Sequence, residues 1–145
     1  MKRDIIDFFR NNIGVKTAEH VGGFGGWLNG KLNGISENGD ILIEFEVREE
    51  FLNPLGTIHG GAISAIMDEV MGMQLFLKTN QDDAYFALNI SVDFVKNAKF
   101  GEKLQAKPEV IRIGRKTAVL RCTLTNESEN VVAIGSSNFL KLGEN

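Results

Sequence analysis

The chain is poor in the residues that crosslink or interrupt a fold. One cysteine in 145 residues excludes an internal disulfide framework and favours a reducing compartment. Two histidines and the lone Cys122 give no metal-ligand spacing, so we predict no metal site. There is also no apolar run of membrane-spanning length and no secretory leader pattern. We therefore expect a cytoplasmic protein without a membrane partner.

What is present suits one soluble domain. The length predicts a single domain over residues 1–145, and 43% hydrophobic with 24% charged residues is an ordinary globular composition. The charge is unevenly distributed: segment 96–121 is +6, whereas the rest sums to −9. Such a basic zone indicates either a compact polyanionic ligand or a solvated strand surface. Phe100 is its one aromatic residue, which argues against nucleic-acid binding by base stacking.

The hydrophobic periodicity predicts an α+β fold. A short amphipathic helix over 4–12 is followed by the glycine-rich segment 22–26, which lacks the Lys-Ser/Thr ending of a phosphate loop and is interpreted as a flexible connector. Asn38-Gly39 predicts a hairpin turn. The strands are expected at 28–35, 41–47, 86–94, 104–113, 117–125 and 131–140. Pro108 predicts a bulge or an edge position in the fourth of them.

Residues 59–78 are apolar on nearly every side of a predicted helix, which is typical of a buried helix. Because the strands around it are joined by short turns, we expect an antiparallel sheet of about six strands with this helix against it. Gly60-Gly61 should open the helix, where free N–H groups and a partial positive charge suit a polarised carbonyl. The glycines also fit a purely packing role.

Asp68 is the only aspartate of this helix. Ser64 and Gly72 share its face and leave room beside the carboxylate. Apolar surroundings would raise its pKa, whereas a hydrogen bond from Ser64 would lower it. A desolvated carboxylate with space beside it can act as a base or a nucleophile. The alternatives are an ion pair between Asp68 and a lysine or arginine of a facing strand, and Glu69 as the acting acid.

Helical geometry separates the two features. Asp68 lies nine residues after His59, which is roughly 14 Å along the axis and on about the opposite face. One helix cannot bring its own start and its own Asp68 to the same carbonyl. If both act, they come from different subunits, which predicts an obligate dimer with two composite sites.

The segment from Asn53 to Gly61, followed by Asp68, resembles the hot-dog fold thioesterases of the phenylacetate-pathway and human thioesterase superfamily type. Residues 89–102 resemble the strand and turn that follow the helix in that family. The resemblance implies a hot-dog fold, in which the sheet wraps around the long helix. It also implies hydrolysis of an acyl-CoA by a homodimer or a homotetramer of two dimers. No cofactor is implied, because coenzyme A is part of the substrate.

The resemblance also implies roles for individual residues. Asp68 would be the general base or nucleophile, and the Gly60 N–H, with Gly61 as a second candidate donor, would polarise the carbonyl. Asn53 would position the attacking water or the thioester, and His59 would support the helix start rather than act as a base. Further substrate contacts are expected from the remaining polar and basic candidates, which are Ser64, Asn89, Lys96, Arg112, Arg115 and Lys116.

One departure from the family pattern is Ala87, which stands where serine or threonine is common. Asn89 or Ser91 would have to supply the missing polar group. Two other functions on the same fold therefore stay open: a non-catalytic acyl-CoA or fatty-acyl binding module, and a hydratase. The hydratase motif, which pairs a catalytic histidine with an acid in a different arrangement, is not found in the sequence.

Overall fold

The computed structural model describes residues 2–143 of the chain, so Met1, Glu144 and Asn145 of the predicted domain lie outside it. Its helices are α1 (Lys2–Asn11), α2 (Gly23–Leu28) and α3 (Gly60–Lys78). Its strands are β1 (Lys31–Ile35), β2 (Ile41–Glu46), β3 (Tyr85–Phe94), β4 (Lys103–Ile113), β5 (Thr117–Thr125) and β6 (Val131–Lys141). In these residues no helix is both long and apolar enough to cross a bilayer.

The six strands form one antiparallel sheet in the order β1-β2-β4-β5-β6-β3. Helix α3 packs against β3, β4, β5 and β6. Its residues Ile66, Met67, Val70 and Met71 are fully buried in the core. The structure thus confirms the expected hot-dog arrangement of an antiparallel sheet around one long helix, with a short N-terminal helix added.

The β1–β2 hairpin turns at the predicted Asn38-Gly39 pair, where Gly39 has a φ of +82°. The buried Gln74 fastens this turn to α3. Its Oε1 accepts from Ile41 N–H at 2.9 Å, and its Nε2 donates to Gly39 O at 2.8 Å. Pro108 lies beyond Ile43–Ala106, the last β2–β4 pair, where β4 is flanked by β5 alone, which is the predicted edge position.

The glycine-rich segment is helix α2, so its interpretation as a flexible connector is wrong. Gly25 and Gly26 are buried, and a Cβ on Gly26 would collide with the carbonyl oxygen of Val21. These glycines let the chain pack closely rather than move freely. Leu28 accordingly ends a helix, and the following strand begins at Lys31, three residues later than predicted.

Arg48 holds α2 in place. Its guanidinium donates to the carbonyl oxygens of Trp27 and Leu28 at the end of the helix. The same group lies 4.4 Å from the centre of the Trp27 ring and 4.2 Å from that of Phe51. A cation between two aromatic rings at this range is attracted by both. Phe24, stacked on Trp27 at 5.6 Å, is thereby presented to solvent.

Two surfaces of the single chain are more exposed than the sequence pattern predicts. Helix α3 is buried on its sheet side only, and Gly61, Asp68 and Phe76 are exposed on the other. In β3, a register shift between Ala87 and Asn89 interrupts the alternation, and several large apolar side chains of this strand stay open to solvent. Phe86, Leu88 and Phe94 are 45%, 52% and 58% exposed.

Candidate active site

The start of α3 combines a capped helix end with one free donor. His59 is the N-cap, and its Nδ1 accepts from Gly61 N–H at 2.8 Å, which leaves the ring proton on Nε2. The N–H of Gly61 is therefore already used. The N–H of Gly60 donates to none of the described residues. Of the two glycines, Gly60 thus offers the donor that a polarised carbonyl needs.

A cavity of about 320 Å³ brings Asn53, Gly60 and Lys96 together. Asn53 Oδ1 accepts from the backbone N–H groups of Leu55 and Thr57 at 3.0 and 3.2 Å. Its Nδ2 donates one hydrogen to Thr57 Oγ1 at 3.0 Å, so the second amide hydrogen remains to be donated. The loop therefore fixes Asn53 as a rigid donor beside the helix start.

The same cavity shows why residue 60 is a glycine. A Cβ at Gly60 would lie 3.0 Å from Cζ of Phe94, which also lines the cavity. The absent side chain keeps the Gly60 N–H accessible under that ring.

Within residues 2–143 the Asp68 carboxyl group forms no ion pair and no hydrogen bond, so the alternative of an ion pair with a facing lysine or arginine is wrong. Although the carboxyl group is exposed on the helix surface, its apolar surroundings remove enough water to raise its pKa. Burial and the charge of Asp68 likewise raise the pKa of Glu69. Ser64 does not counteract this, since its hydroxyl donates to Gly60 O at 2.9 Å.

Asp68 borders two cavities, of about 370 and 570 Å³. Ser64 and Asn89 line the smaller one, and Ala87 borders both. Asn89 Oδ1 is occupied by the backbone and side-chain N–H groups of Asn138, at 3.3 and 3.1 Å. Its amide N–H₂ thus remains available as a donor in the smaller cavity, to which Ala87 contributes no hydroxyl.

Sequence reasoning missed Phe24 as a site residue. Its ring lines the smaller Asp68 cavity, because helix α2 carries it there. The run of glycines around Phe24 was the available signal for a closely packed helix, but we interpreted it as a sign of flexibility.

A family model described as "Thioesterase superfamily" matches residues 55–133. The chain belongs to the thioesterase superfamily. Human acyl-coenzyme A thioesterase 13 is 29% identical over 90 residues, which are 62% of this chain and 64% of that protein. The match thus spans just under two thirds of the relative's own length.

Solved structures share the fold of this superfamily member at lower identity. Zebrafish thioesterase superfamily member 2 superposes with a TM-score of 0.76 and 21% identity, and 99% of each chain is covered. A hypothetical thioesterase from Streptococcus pneumoniae, determined with coenzyme A, superposes with a TM-score of 0.72 and 22% identity over 80% of this chain and 88% of its own.

Within one chain of this thioesterase-superfamily member, the two parts of the site are apart. The cavity at Asn53 and Gly60 shares no lining residue with either cavity at Asp68. Eight residues of helix separate Gly60 from Asp68, which is about 12 Å along the axis. One chain therefore presents two separate half-sites, one with the Gly60 N–H and one with the Asp68 carboxyl group, and no cavity that contains both.

The basic candidates are divided in the same way. Lys96 lines the Gly60 cavity, at the end of the sheet where β3 ends and β6 begins. Arg112, Arg115 and Lys116 lie around the β4–β5 turn, at the opposite end of the sheet. Across the nine residues of β5 this separation is roughly 27 Å. The four residues do not form one cluster within a chain.

Proposed function

We propose that this thioesterase-superfamily member hydrolyses acyl-CoA thioesters to the free acid and CoA. The observation that carries the proposal is Asp68, an unpaired carboxyl group with a raised pKa that borders two substrate-sized cavities. The names of relatives, such as acyl-coenzyme A thioesterase 13, support the same reaction class. No cofactor is needed, because water is the second substrate and coenzyme A is the leaving group.

The proposed chemistry uses a charge-stabilising donor and a carboxylate. The Gly60 N–H, at the positive end of α3, binds the carbonyl oxygen and stabilises the negative charge that develops on it. Asn53 holds the thioester or the attacking water, and His59 keeps the Gly61 N–H satisfied so that the helix start stays in place.

Asp68 acts as a base or as a nucleophile. As a base it takes a proton from water, the new C–O bond forms, and the C–S bond breaks as the proton passes to the CoA thiolate. As a nucleophile it forms a C–O bond to the acyl carbon and expels CoA. Water then hydrolyses the resulting anhydride and restores the carboxylate.

We infer that the acting form is a homodimer, and that a homotetramer of two such dimers would contain the same sites. Among the described strands β3 pairs with β6 alone, so one edge of β3 is open. Its exposed Phe86, Leu88 and Phe94 add an apolar surface to that edge. An unpaired edge with exposed apolar side chains is an interaction surface, and a two-fold copy would cover both.

Antiparallel pairing of β3 with its copy also explains the divided basic residues. It places the Lys96 end of one protomer beside the opposite sheet end of the other, which carries Arg112, Arg115 and Lys116. Lysine and arginine at that junction suit the phosphates of coenzyme A.

The alternative function is a non-catalytic acyl-CoA binding module. It is favoured by Ala87, which borders both Asp68 cavities and contributes no hydroxyl to either. A thiol-release assay over short, long and aromatic acyl-CoAs decides between the two. We expect turnover by the wild type and a loss of about 10²–10⁴-fold in Asp68→Asn with an intact fold. Glu69→Gln, the neighbouring carboxylate, is the matched control and should lose far less.

Saturable binding of acyl-CoA without release of thiol would contradict hydrolysis and support the binding module. An unchanged rate in Asp68→Asn would contradict the assignment of the carboxylate. Consumption of an enoyl-CoA double bond, followed by absorbance, would instead indicate a hydratase.

A further inference from the structure

The larger Asp68 cavity lies between α1 and α3 and has a volume of about 570 Å³. Its walls are mainly apolar side chains from α1, α3 and β6, which include Ile5, Phe8, Phe9, Met73, Phe76 and Phe139. Volumes of roughly 300–1,000 Å³ are typical of small-molecule sites. An N-terminal helix that shows no catalytic group of its own therefore forms one wall of a ligand-sized apolar space.

The two cavities give a thioester at Asp68 a place for each of its arms. Burial of each CH₂ group in apolar surroundings is favourable, so an alkyl or aryl chain favours the larger cavity with its aromatic and aliphatic walls. The smaller cavity carries Ser64 and Asn89, whose polar groups suit the amide-containing pantetheine arm on the sulfur side.

Apart from Asp68 and the Tyr85 hydroxyl, the polar side chains that border the larger cavity are His20 and Glu69, near α1 and α2. His20 Nε2 lies 3.1 Å from Asn12 Oδ1, and the His20 ring packs edge-on against Phe8 at 5.1 Å between centres. The Glu69 carboxyl group lies against the backbone of Gly25. His20 thus contacts the α1 region and Glu69 contacts α2. Neither places a charge on the face of α3 that follows Asp68.

Gly72 is the floor of the cavity one helical turn beyond Asp68, on the same face of α3. A Cβ at this position would meet no heavy atom within 4 Å. Packing therefore does not require a glycine here, although glycine inside a helix is destabilising relative to alanine. What the missing side chain provides is open space between Asp68 and Phe76.

We propose that the acyl group lies in this cavity beneath α1, and that Gly72 and Phe76 set the length of the chain it accepts. The proposal rests on the thioesterase function proposed above and names its substrate class as acyl groups with an extended apolar chain. Gly72 leaves the passage open, and the ring of Phe76, one turn further along α3, closes it.

The test compares kcat/KM for saturated acyl-CoAs from acetyl to palmitoyl. Gly72→Leu fills the passage and should lower the ratio of decanoyl-CoA to acetyl-CoA by about tenfold or more, since one methylene gained or lost in an apolar pocket changes kcat/KM by roughly 10–200-fold. Phe76→Ala should move the preferred chain to greater length. Ser128→Leu adds the same bulk to the exposed β5–β6 turn and should leave the ratio unchanged.

The outcomes separate this proposal from the reaction itself. Hydrolysis with an unchanged chain-length profile in both cavity variants, each shown to be folded by thermal melting, would overturn the assignment of the cavity alone. If Gly72→Leu does not fold, Gly72→Ala should give a smaller change of the same sign. A chain-length profile that is unchanged in both Gly72→Ala and Phe76→Ala would likewise overturn the assignment of the cavity. If the wild type releases thiol from none of the acyl-CoAs, the proposed function itself is overturned.

Discussion

At the scale of single residues, the site is built around a carboxyl group left without a partner. Asp68 has no cation or hydrogen-bond donor among residues 2–143, and its apolar surroundings raise its pKa. An unpaired, partly desolvated carboxylate is costly to keep in a fold, which is the usual sign of a functional role. Its neighbour Glu69 adds to the cost, because the charge of Asp68 also raises the pKa of Glu69.

This cost predicts that Asp68→Asn stabilises the protein while it lowers turnover. Because the pKa of Asp68 is higher in the folded than in the unfolded state, ionisation opposes folding. The penalty is present above the folded-state pKa and disappears as the pH falls below the unfolded value of about 3.9. At pH 7 the variant should therefore have the larger free energy of unfolding, and the gap should close towards pH 3.5.

Urea unfolding at the two pH values measures this difference. The exposed Asp82, in the turn after α3, gives the matched control Asp82→Asn, for which we expect a change within about 0.5 kcal/mol at either pH. A variant at Asp68 that is less stable than the wild type at pH 7 would show that the carboxylate is a structural group.

At the scale of secondary structure, helix α2 is the element that completes the smaller cavity. It is short and glycine-rich, and its position is fixed by Arg48 at its end and by close packing at Gly25 and Gly26. In this way it carries Phe24 to the Asp68 cavity. A segment without a hydrophobic pattern of its own thus shapes the site.

The two buried glycines of α2 should differ in their tolerance of a side chain. A Cβ on Gly26 meets the backbone oxygen of Val21, which cannot move without moving the chain, whereas a Cβ on Gly25 meets only the flexible end of Glu69. We expect Gly26→Ala to lower the free energy of unfolding by about 1–3 kcal/mol, and Gly25→Ala to lower it by less. Denaturant titration of both variants checks this, and the reverse order would contradict the packing described.

Much of this could be predicted from sequence where local chemistry decides the structure. Asn38-Gly39 specifies its turn, strand alternation gives the sheet, and the motif from Asn53 to Asp68 locates both half-sites. The close packing of α2 could not be predicted in this way, because Glu69 beside Gly25 and Arg48 at the end of the helix are distant in the sequence. The Ala87–Asn89 register shift likewise results from pairing with β6 and leaves no local signal.

At the scale of the whole molecule, the features of the single chain suggest an incomplete assembly. The Gly60 and Asp68 half-sites occupy separate cavities. The open edge of β3 and the exposed face of α3 leave apolar surface uncovered. All three observations have the same explanation if a second copy supplies the Gly60 half-site to the Asp68 of the first.

Subunit complementation tests this arrangement most directly. Asp68→Asn removes the carboxylate. Gly60→Pro removes the N–H at the first helical position, where the backbone tolerates proline once the exposed Phe94 ring shifts to admit the added side chain. Each variant alone should be inactive. Co-expressed and randomly mixed, they should recover about a quarter of the wild-type specific activity, because half of the dimers are mixed and each mixed dimer has one intact composite site. Mixed dimers that form and stay inactive would show that both residues act within one chain and would contradict the composite site.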